Sequence, residues 1–405
     1  MIGDGWDGDP SVRPGAAIET APGIRRIAVV TGTRAEFGLL EPVMRAVMAR
    51  ADQLLFVVAA GSHLISPAET YRDIKAKFAA NIADAVPMQI AGKTGRAADV
   101  EALGKGVARF GRGFERMRPD WVVVLGDRIE AFAAASAAAV GGFALAHIHG
   151  GDRAEGVADE SMRHAITKLA HVHFAATEQS AERIRRMGER PEHVFVVGSP
   201  AIDGLAAIPV LSDSLFSELG RPDTVLLMHP VGRSTEREES TASAAIEAIL
   251  AEPGRRLLAL HPNFDPGRDG VLAAITAAGQ KFPDRIKVVR HMPREQFVGL
   301  LKRLAPKGGL LVGNSSAALI EAAAVKLPAV DIGPRQAGRE RANNVINAGG
   351  ESSDHIASAI QSALKIERAQ ISHPYGDGSA GGRIAEKLSV INPHEPRLLR
   401  KRCAY

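Results

Sequence analysis

Short apolar runs recur along this chain, and between them the apolar positions return at helical spacing. In the first half, strands are predicted over 24–32 (IRRIAVVTG), 54–61 (LLFVVAAG) and, briefly, 85–90. Four more follow, in WVVVLG, FALAHIHGG, HVHFAATE and HVFVVGSP. Helices are predicted over 37–50, 67–79, 99–117, an Ala-rich 129–140, 159–170 and 179–187. Strand then helix, repeated, is the signature of a doubly wound domain built on a parallel sheet.

A Pro- and Ser-containing stretch over 209–222 interrupts the alternation, which then resumes. TVLLMHP, RRLLALHPN, RIKVVRH, GLLVGNSS and PAVDIG read as strands, and helices follow most of them. A last helix is predicted near 379–388, after PYGDG. No repeat at solenoid spacing is visible. The fold class expected is α/β, with two Rossmann-like doubly wound domains and a cleft between them. The boundaries are an arm over 1–23, a first domain over 24–203, a second over 204–375 and a basic tail over 393–405.

Composition narrows the function. The 405 residues are 45% hydrophobic and 24% charged, enough for two domains with separate cores. The net charge is only +4 and aromatics are 4%, so no nucleic-acid partner is expected. The tail RLLRKR is read as a solvated terminus. No apolar run has the length of a membrane span, so no membrane partner is expected. The arm, rich in Gly, Pro and Asp, lacks the basic start and apolar centre of a signal peptide and is expected to be disordered. The one cysteine, Cys403, allows no internal disulfide, which fits a reducing, cytoplasmic location.

Chemistry gathers where the strands end. Trp121–Leu125 runs into Gly126-Asp127-Arg128, and the next strand runs into His147-Ile148-His149-Gly150-Gly151-Asp152. Asp159, Glu160, Arg163 and His164 follow. Ligands of such sheets bind outside the carboxyl ends of the strands. Asp127 is a natural base there, or the partner of Arg128 in an ion pair. His149, Asp152 and Asp159 are candidates for acid–base work. His147 and His149 with Asp152 have the atoms of a metal site but no completed ligand set, so no metal is expected.

The turn Thr31-Gly32-Thr33-Arg34-Ala35-Glu36 lacks the GxGxxG spacing of a dinucleotide site, and no cofactor is expected. Its glycine and helix start suit an anion, with Arg34 beside it. Gly313-Asn314-Ser315-Ser316, with Glu321 further on, suits a diphosphate and a ribose or sugar hydroxyl. It reads equally well as the N-cap of a helix over 317–325. His229, His261 and His291 end three consecutive strands and could donate to phosphate oxygens or a uracil edge. As satisfied loop histidines they would do neither.

TGTRAEFG, LGDR, HIHGGD, DESMRHAITKLAH, VGSP, GNSS with Glu321, and DIGPRQAGR stand in one order over about 27–387. In that order the chain resembles the hydrolysing UDP-N-acetylglucosamine 2-epimerase family of sialic- and legionaminic-acid biosynthesis. The resemblance implies a GT-B fold whose carboxyl-terminal helix, over 376–392, rejoins the first domain. It implies loss of UDP from C1 with removal of the C2 proton, giving a 2-acetamidoglucal. Water then adds across that double bond and C2 is inverted. Asp127 and Asp159 match the family's acid–base carboxylates, and His229 the histidine near the leaving phosphates. Arg34, Asn263, Ser315, Ser316, Glu321 and Arg335 match nucleotide-binding positions. Arg163 and His164 match a helix motif beside the site. Asp152, Glu160, His291, Gly313 and Asn314 complete the candidate binding set.

The chain departs from the family at one motif. Several members have HIEGGE where this sequence has HIHGGD, so His149 replaces a carboxylate and is expected to take its acid–base role. The implied partners are a UDP-linked amino sugar, UDP as product, and copies of the chain in a homodimer or homotetramer. UDP-GlcNAc and UDP-2,4-diacetamido-2,4,6-trideoxyglucose are the candidate substrates, with the second favoured by HIHGGD followed by AEG. A GT-B glycosyltransferase and a nucleotide-sugar-binding regulator without turnover are the alternatives.

Overall fold

A computed structural model describes residues 23–65, 70–93, 95–153, 160–263 and 265–404. They divide into two compact units. The first is drawn from Met1–Asp152, Asp159–Asp203 and Gly376–Tyr405, and the second from Arg153–Ala158 and Gly204–Tyr375. Among the described residues no helix is long and apolar enough to cross a membrane.

The first unit holds seven strands: β1 Arg25–Thr31, β2 Gln53–Ala60, β3 Ile82–Val86, β4 Trp121–Leu125, β5 Ala144–Ile148, β6 Val172–Ala175 and β7 Val194–Val196. Their order is β3-β2-β1-β4-β5-β6-β7, and every pairing is parallel. Odd and even positions feed different layers, because side chains alternate along a strand. Ile27, Val29, Leu55, Val57, Trp121 and Val123 join one apolar cluster, and Ala28, Val30, Phe56, Val58, Val122 and Val124 join another. Both faces are therefore buried, and the strands read as unbroken apolar runs. The order reverses between β1 and β4, so the Thr31–Arg34 turn and Asp127 stand at the switch point where such sheets bind ligands.

The second unit holds β8 Thr224–Leu227, β9 Leu257–Leu260, β10 Ile286–Val289, β11 Leu310–Gly313, β12 Ala329–Asp331 and β13 Val345–Asn347. Their order is β10-β9-β8-β11-β12-β13, again all parallel. Two Rossmann-like sheets are thus present, as expected. The edge strand β13 was not predicted; its three residues are half-buried or exposed and form no apolar run.

The helix Ala380–Val390 packs in the first unit, where Ile384, Ala385 and Leu388 join the cluster of Ile27 and Val29. Asp203 caps its start, accepting from Ala380 N at 3.0 Å and Gly381 N at 2.6 Å.

Three local expectations are corrected. The helix predicted over 37–50 begins at Arg34, because Thr33 and Glu36 form a capping box. The helix predicted over 317–325 is a 3-10 turn, Ser316–Ala318, followed by the single turn Glu321–Ala324. The tail is solvated only in part: Arg397, Arg400 and Arg402 are exposed, but two of its residues are held. Leu398 is buried in the core, and Lys401 Nζ donates to the carbonyls of Thr167, Lys168 and Ala170 at 3.1, 2.7 and 2.6 Å. These carbonyls close the helix Glu160–Leu169 and lack partners within it. Buried Glu189 supplies the counter-charge, 2.6 Å from the same ammonium.

Candidate functional site

β4 and β5 deliver the first cluster of candidate residues. Asp127 follows β4, and its Oδ2 pairs with Arg163 Nη2. Arg163 lies on the buried side of the helix Glu160–Leu169, and its Nη1 donates to the Asp152 carbonyl at 2.7 Å. Arg163, not the neighbouring Arg128, is the cation hydrogen-bonded to Asp127. The guanidinium therefore ties the end of β4 to the loop after β5.

His147 faces inward and is fully occupied. Its Nε2 donates to the Gly126 carbonyl at 2.8 Å, and its Nδ1 lies 3.2 Å from Thr167 Oγ1. Burial pulls its pKa down to about 3, so it is neutral and structural. Among the described residues no three His, Cys, Asp or Glu side chains gather where they could hold a metal ion.

His149 adopts φ +63°, which turns the chain out of β5. Its Nδ1 stands 3.0 Å from Asp152 Oδ2, and its Nε2 stands 3.1 Å from Ser199 Oγ. The second Asp152 oxygen accepts from Ser180 Oγ at 2.8 Å. Gly151, at φ +73°, lets this turn close, since a Cβ there would lie 2.2 Å from the Ser180 carbonyl oxygen. A carboxylate on Nδ1 puts the imidazole proton on that nitrogen and leaves Nε2 to exchange protons with a hydroxyl. Ser199 and Ser180 were not among the predicted site residues. Ser199 sits in the quoted VGSP motif, but its contact spans 50 positions.

Of the remaining first-unit candidates, Glu160 opens its helix, with Oε1 3.5 Å from His164 Nε2. Arg34 is exposed on the turn after β1. Asp159 lies outside the described residues.

In the second unit, His229 follows β8. Asn314 brackets it: Oδ1 accepts from His229 N at 2.7 Å and Nδ2 donates to His229 O at 2.7 Å. His229 Nδ1 accepts from Asn263 N at 3.1 Å, which leaves the ring proton on Nε2. Burial, with Arg335 nearby, pulls the His229 pKa down to about 3. It is a neutral donor at pH 7. Arg335 Nη1 and Gln336 Nε2 donate to the Asn314 carbonyl at 3.2 and 2.9 Å. Gln336, which sequence reasoning missed, fixes this loop from within.

Gly313 has no room for a side chain, since a Cβ would lie 2.1 Å from Leu227 O where β11 pairs with β8. Ser315 caps the 3-10 turn, its Oγ accepting from Ala317 N at 3.4 Å. Ser316 and Glu321 are half-buried. His261 is half-buried and His291 exposed, so the three strand-end histidines have different surroundings.

Comparison with known proteins places this geometry. The family model described as UDP-N-acetylglucosamine 2-epimerase matches residues 45–389. A Legionella pneumophila protein, UDP-N,N'-diacetylbacillosamine 2-epimerase (hydrolyzing), is 34% identical, covering 94% of this chain and 100% of its own. A Neisseria meningitidis UDP-N-acetylglucosamine 2-epimerase is 29% identical over 92% of this chain and 96% of that one. The Methanocaldococcus jannaschii UDP-GlcNAc 2-epimerase in complex with UDP-GlcNAc and UDP shares the fold, with TM-score 0.75. That alignment covers 90% of this chain and 99% of the other at 20% identity. Two parallel sheets, the strand-end residues and these matches agree: the chain belongs to the UDP-N-acetylglucosamine 2-epimerase family.

Proposed function

We propose that the protein is a hydrolysing 2-epimerase of nonulosonic acid biosynthesis. It converts UDP-2,4-diacetamido-2,4,6-trideoxyglucose to UDP and the free manno-configured sugar through a 2-acetamidoglucal. The observation that carries this reading is the acid–base set at the ends of β4 and β5: Asp127 held by Arg163, and His149 held between Asp152 and Ser199. The activity of the Legionella relative, a UDP-N,N'-diacetylbacillosamine 2-epimerase, supports the diacetamido sugar over UDP-GlcNAc.

In this reading the Asp127 carboxylate takes the proton from C2 while the C1–O bond to UDP breaks, and Arg163 fixes its direction. His229 donates its Nε2 proton as a hydrogen bond to a leaving phosphate oxygen. Being neutral, it stabilises developing charge without transferring a proton. Arg34, Asn263, Ser315, Ser316, Glu321 and Arg335 bind the nucleotide. Water adds at C1, and a proton returns to C2 from the opposite face. His149 supplies it, with Asp152 orienting the ring; Asp159, the second carboxylate, takes the proton that the water loses, and exchange with solvent resets Asp127, His149 and Asp159. His149 reaches substrate once Ser199 Oγ turns away from Nε2. The enzyme works in the cytoplasm as a homodimer or homotetramer.

Incubation with each nucleotide sugar in D₂O tests the proposal. Release of UDP without an acceptor, and a free sugar carrying one deuterium at C2, are expected. UDP release only in the presence of an acceptor sugar would establish a glycosyltransferase instead. Binding without turnover would establish a regulator.

A further inference from the structure

The turn that carries Arg34 rests on two carboxyl groups that this mechanism leaves unused. Glu36 stands in the first turn of the helix Arg34–Met48. Its Oε2 accepts from Gly32 N at 2.8 Å and from Thr33 N at 3.0 Å. Glu130 stands in the first turn of the helix Ile129–Val140 and is 1% exposed. Its Oε1 accepts from Gln89 Nε2 at 3.0 Å.

The two groups meet at Gly32. Glu36 holds its N–H, and Glu130 lies on its Cα, so that a Cβ at Gly32 would be 2.4 Å from Glu130 Cβ. Gly61 leaves room for the same side chain, a Cβ there falling 2.3 Å from Glu130 Oε1. One oxygen of each carboxyl, Glu36 Oε1 and Glu130 Oε2, is buried without a hydrogen-bond partner among the described residues. Buried orphan acceptors are rare and costly.

The charges around the pair do not balance two anions. Arg128 acts on both groups from the N-cap of the second helix. His63 approaches from the turn after β2, but it is bonded to Thr31 Oγ1 at 2.9 Å and Thr70 Oγ1 at 2.6 Å. Burial pulls its pKa down to about 4, so it brings no charge at neutral pH. Gln89 is neutral. Arg128 thus acts on both buried carboxyls, the backbone N–H groups of Ser62 and Glu130 support the Glu130 carboxylate, and one oxygen of each acid still has no hydrogen-bond partner among the described residues. A single proton held by the pair removes the excess negative charge.

We propose that Glu36 and Glu130 form one positioning unit, a buried acid pair that shares a proton and holds the Gly32-Thr33-Arg34 turn in its ligand-binding shape. Burial and the neighbouring carboxyl push Glu36 up to about 7, and burial raises Glu130 as well. Loss of the proton sets two anions against one glycine. Glu130 is wedged between Gly32 and Gly61, so the turn gives way. The link to ligand binding rests on the proposed role of Arg34; the shared proton does not.

Glu36→Gln keeps the capping box, since Gln accepts the same two N–H bonds, and its amide stands in for the shared proton. At pH 7, infrared difference spectroscopy of wild type against Glu36→Gln should show one protonated-carboxyl C=O band. That band should fade as the pH rises to about 8–9. The melting temperature of Glu36→Gln relative to wild type should climb between about pH 4.5 and 7 and level off above that. Glu130→Gln should remove the band too, which keeps the test alive if one variant fails to fold. UDP affinity of wild type should fall several-fold more steeply between pH 6.5 and 8.5 than that of Glu36→Gln. Absence of the band, or a melting difference flat with pH, overturns the shared proton. A band with identical pH profiles for UDP overturns its hold on the turn. A band and a UDP effect in a protein that turns over no nucleotide sugar leave the pair standing and defeat the proposed function.

Discussion

At the residue scale, Asp127 is the group whose loss is most diagnostic. Asp127→Asn keeps the shape of the side chain and removes its basicity. Turnover, read as UDP release, should fall about 10²–10⁴-fold, the range for one general acid–base group. UDP affinity should stay within a few-fold, because UDP is assigned to other residues. Near-normal turnover would return Asp127 to an ion-pair role with Arg163. The identity of that cation was not legible in the sequence. Arg128 is adjacent, but it stands at a helix N-cap, while Arg163 arrives from 36 positions away. His147 shows the same limit. Its His-x-His spacing suggests a ligand, yet its nitrogens are spent on Gly126 O and Thr167 Oγ1, partners that only the sheet brings near. Glu36 was legible as the fourth residue of a T-x-x-E box and was passed over.

At the element scale, sequence reading succeeds where a period is long enough to see. The helix Ile129–Val140 and strand β4 fall where the pattern puts them, since every position of β4 is buried. It fails for the short pieces around Ser315, where close approach of strands fixes the backbone rather than local preference. The helix Glu160–Leu169 was legible to within a residue at its carboxyl end, but the hold on its last carbonyls by Lys401, from more than 230 positions away, was not. This clasp predicts that Lys401→Met lowers stability by about 1–3 kcal/mol, the cost of leaving buried polar groups short of a partner. Thermal melting checks it. Arginine at the same position should not rescue, because a planar fork cannot point donors at three carbonyls and Glu189 together.

At the scale of the whole molecule, histidines dominate the response to acid. Burial pulls His63 and His171 down to about 4, and His147 and His229 down to about 3. Each binds its proton more readily in the unfolded chain, near pH 6.5, than in the folded one. Their contribution is complete above about pH 6.5 and is lost as the pH falls toward 4 and 3. Every tenfold weakening of proton binding on folding is worth about 1.4 kcal/mol, so the four rings together weigh heavily against ordinary stability. Glu36 works in the opposite sense, its raised pKa costing stability as the pH climbs from about 4.5 to about 7. Melting temperatures should therefore peak between about pH 6 and 7.5 and drop steeply toward pH 4. A profile flat from pH 7 down to 4 would mean that these rings are already protonated in the native state.

The helix Ala380–Val390 and the stretch after it complete a core whose other members lie before residue 204. During synthesis the ribosome delivers those earlier residues first and must then make the entire second unit before the missing helix emerges. The nascent first unit waits meanwhile with the outer face of the helix Arg34–Met48, on which that segment packs, uncovered, a natural client for chaperones. A chain that ends early cannot bury that face, so a premature stop near the end should mark the product for proteolysis as surely as one in the middle.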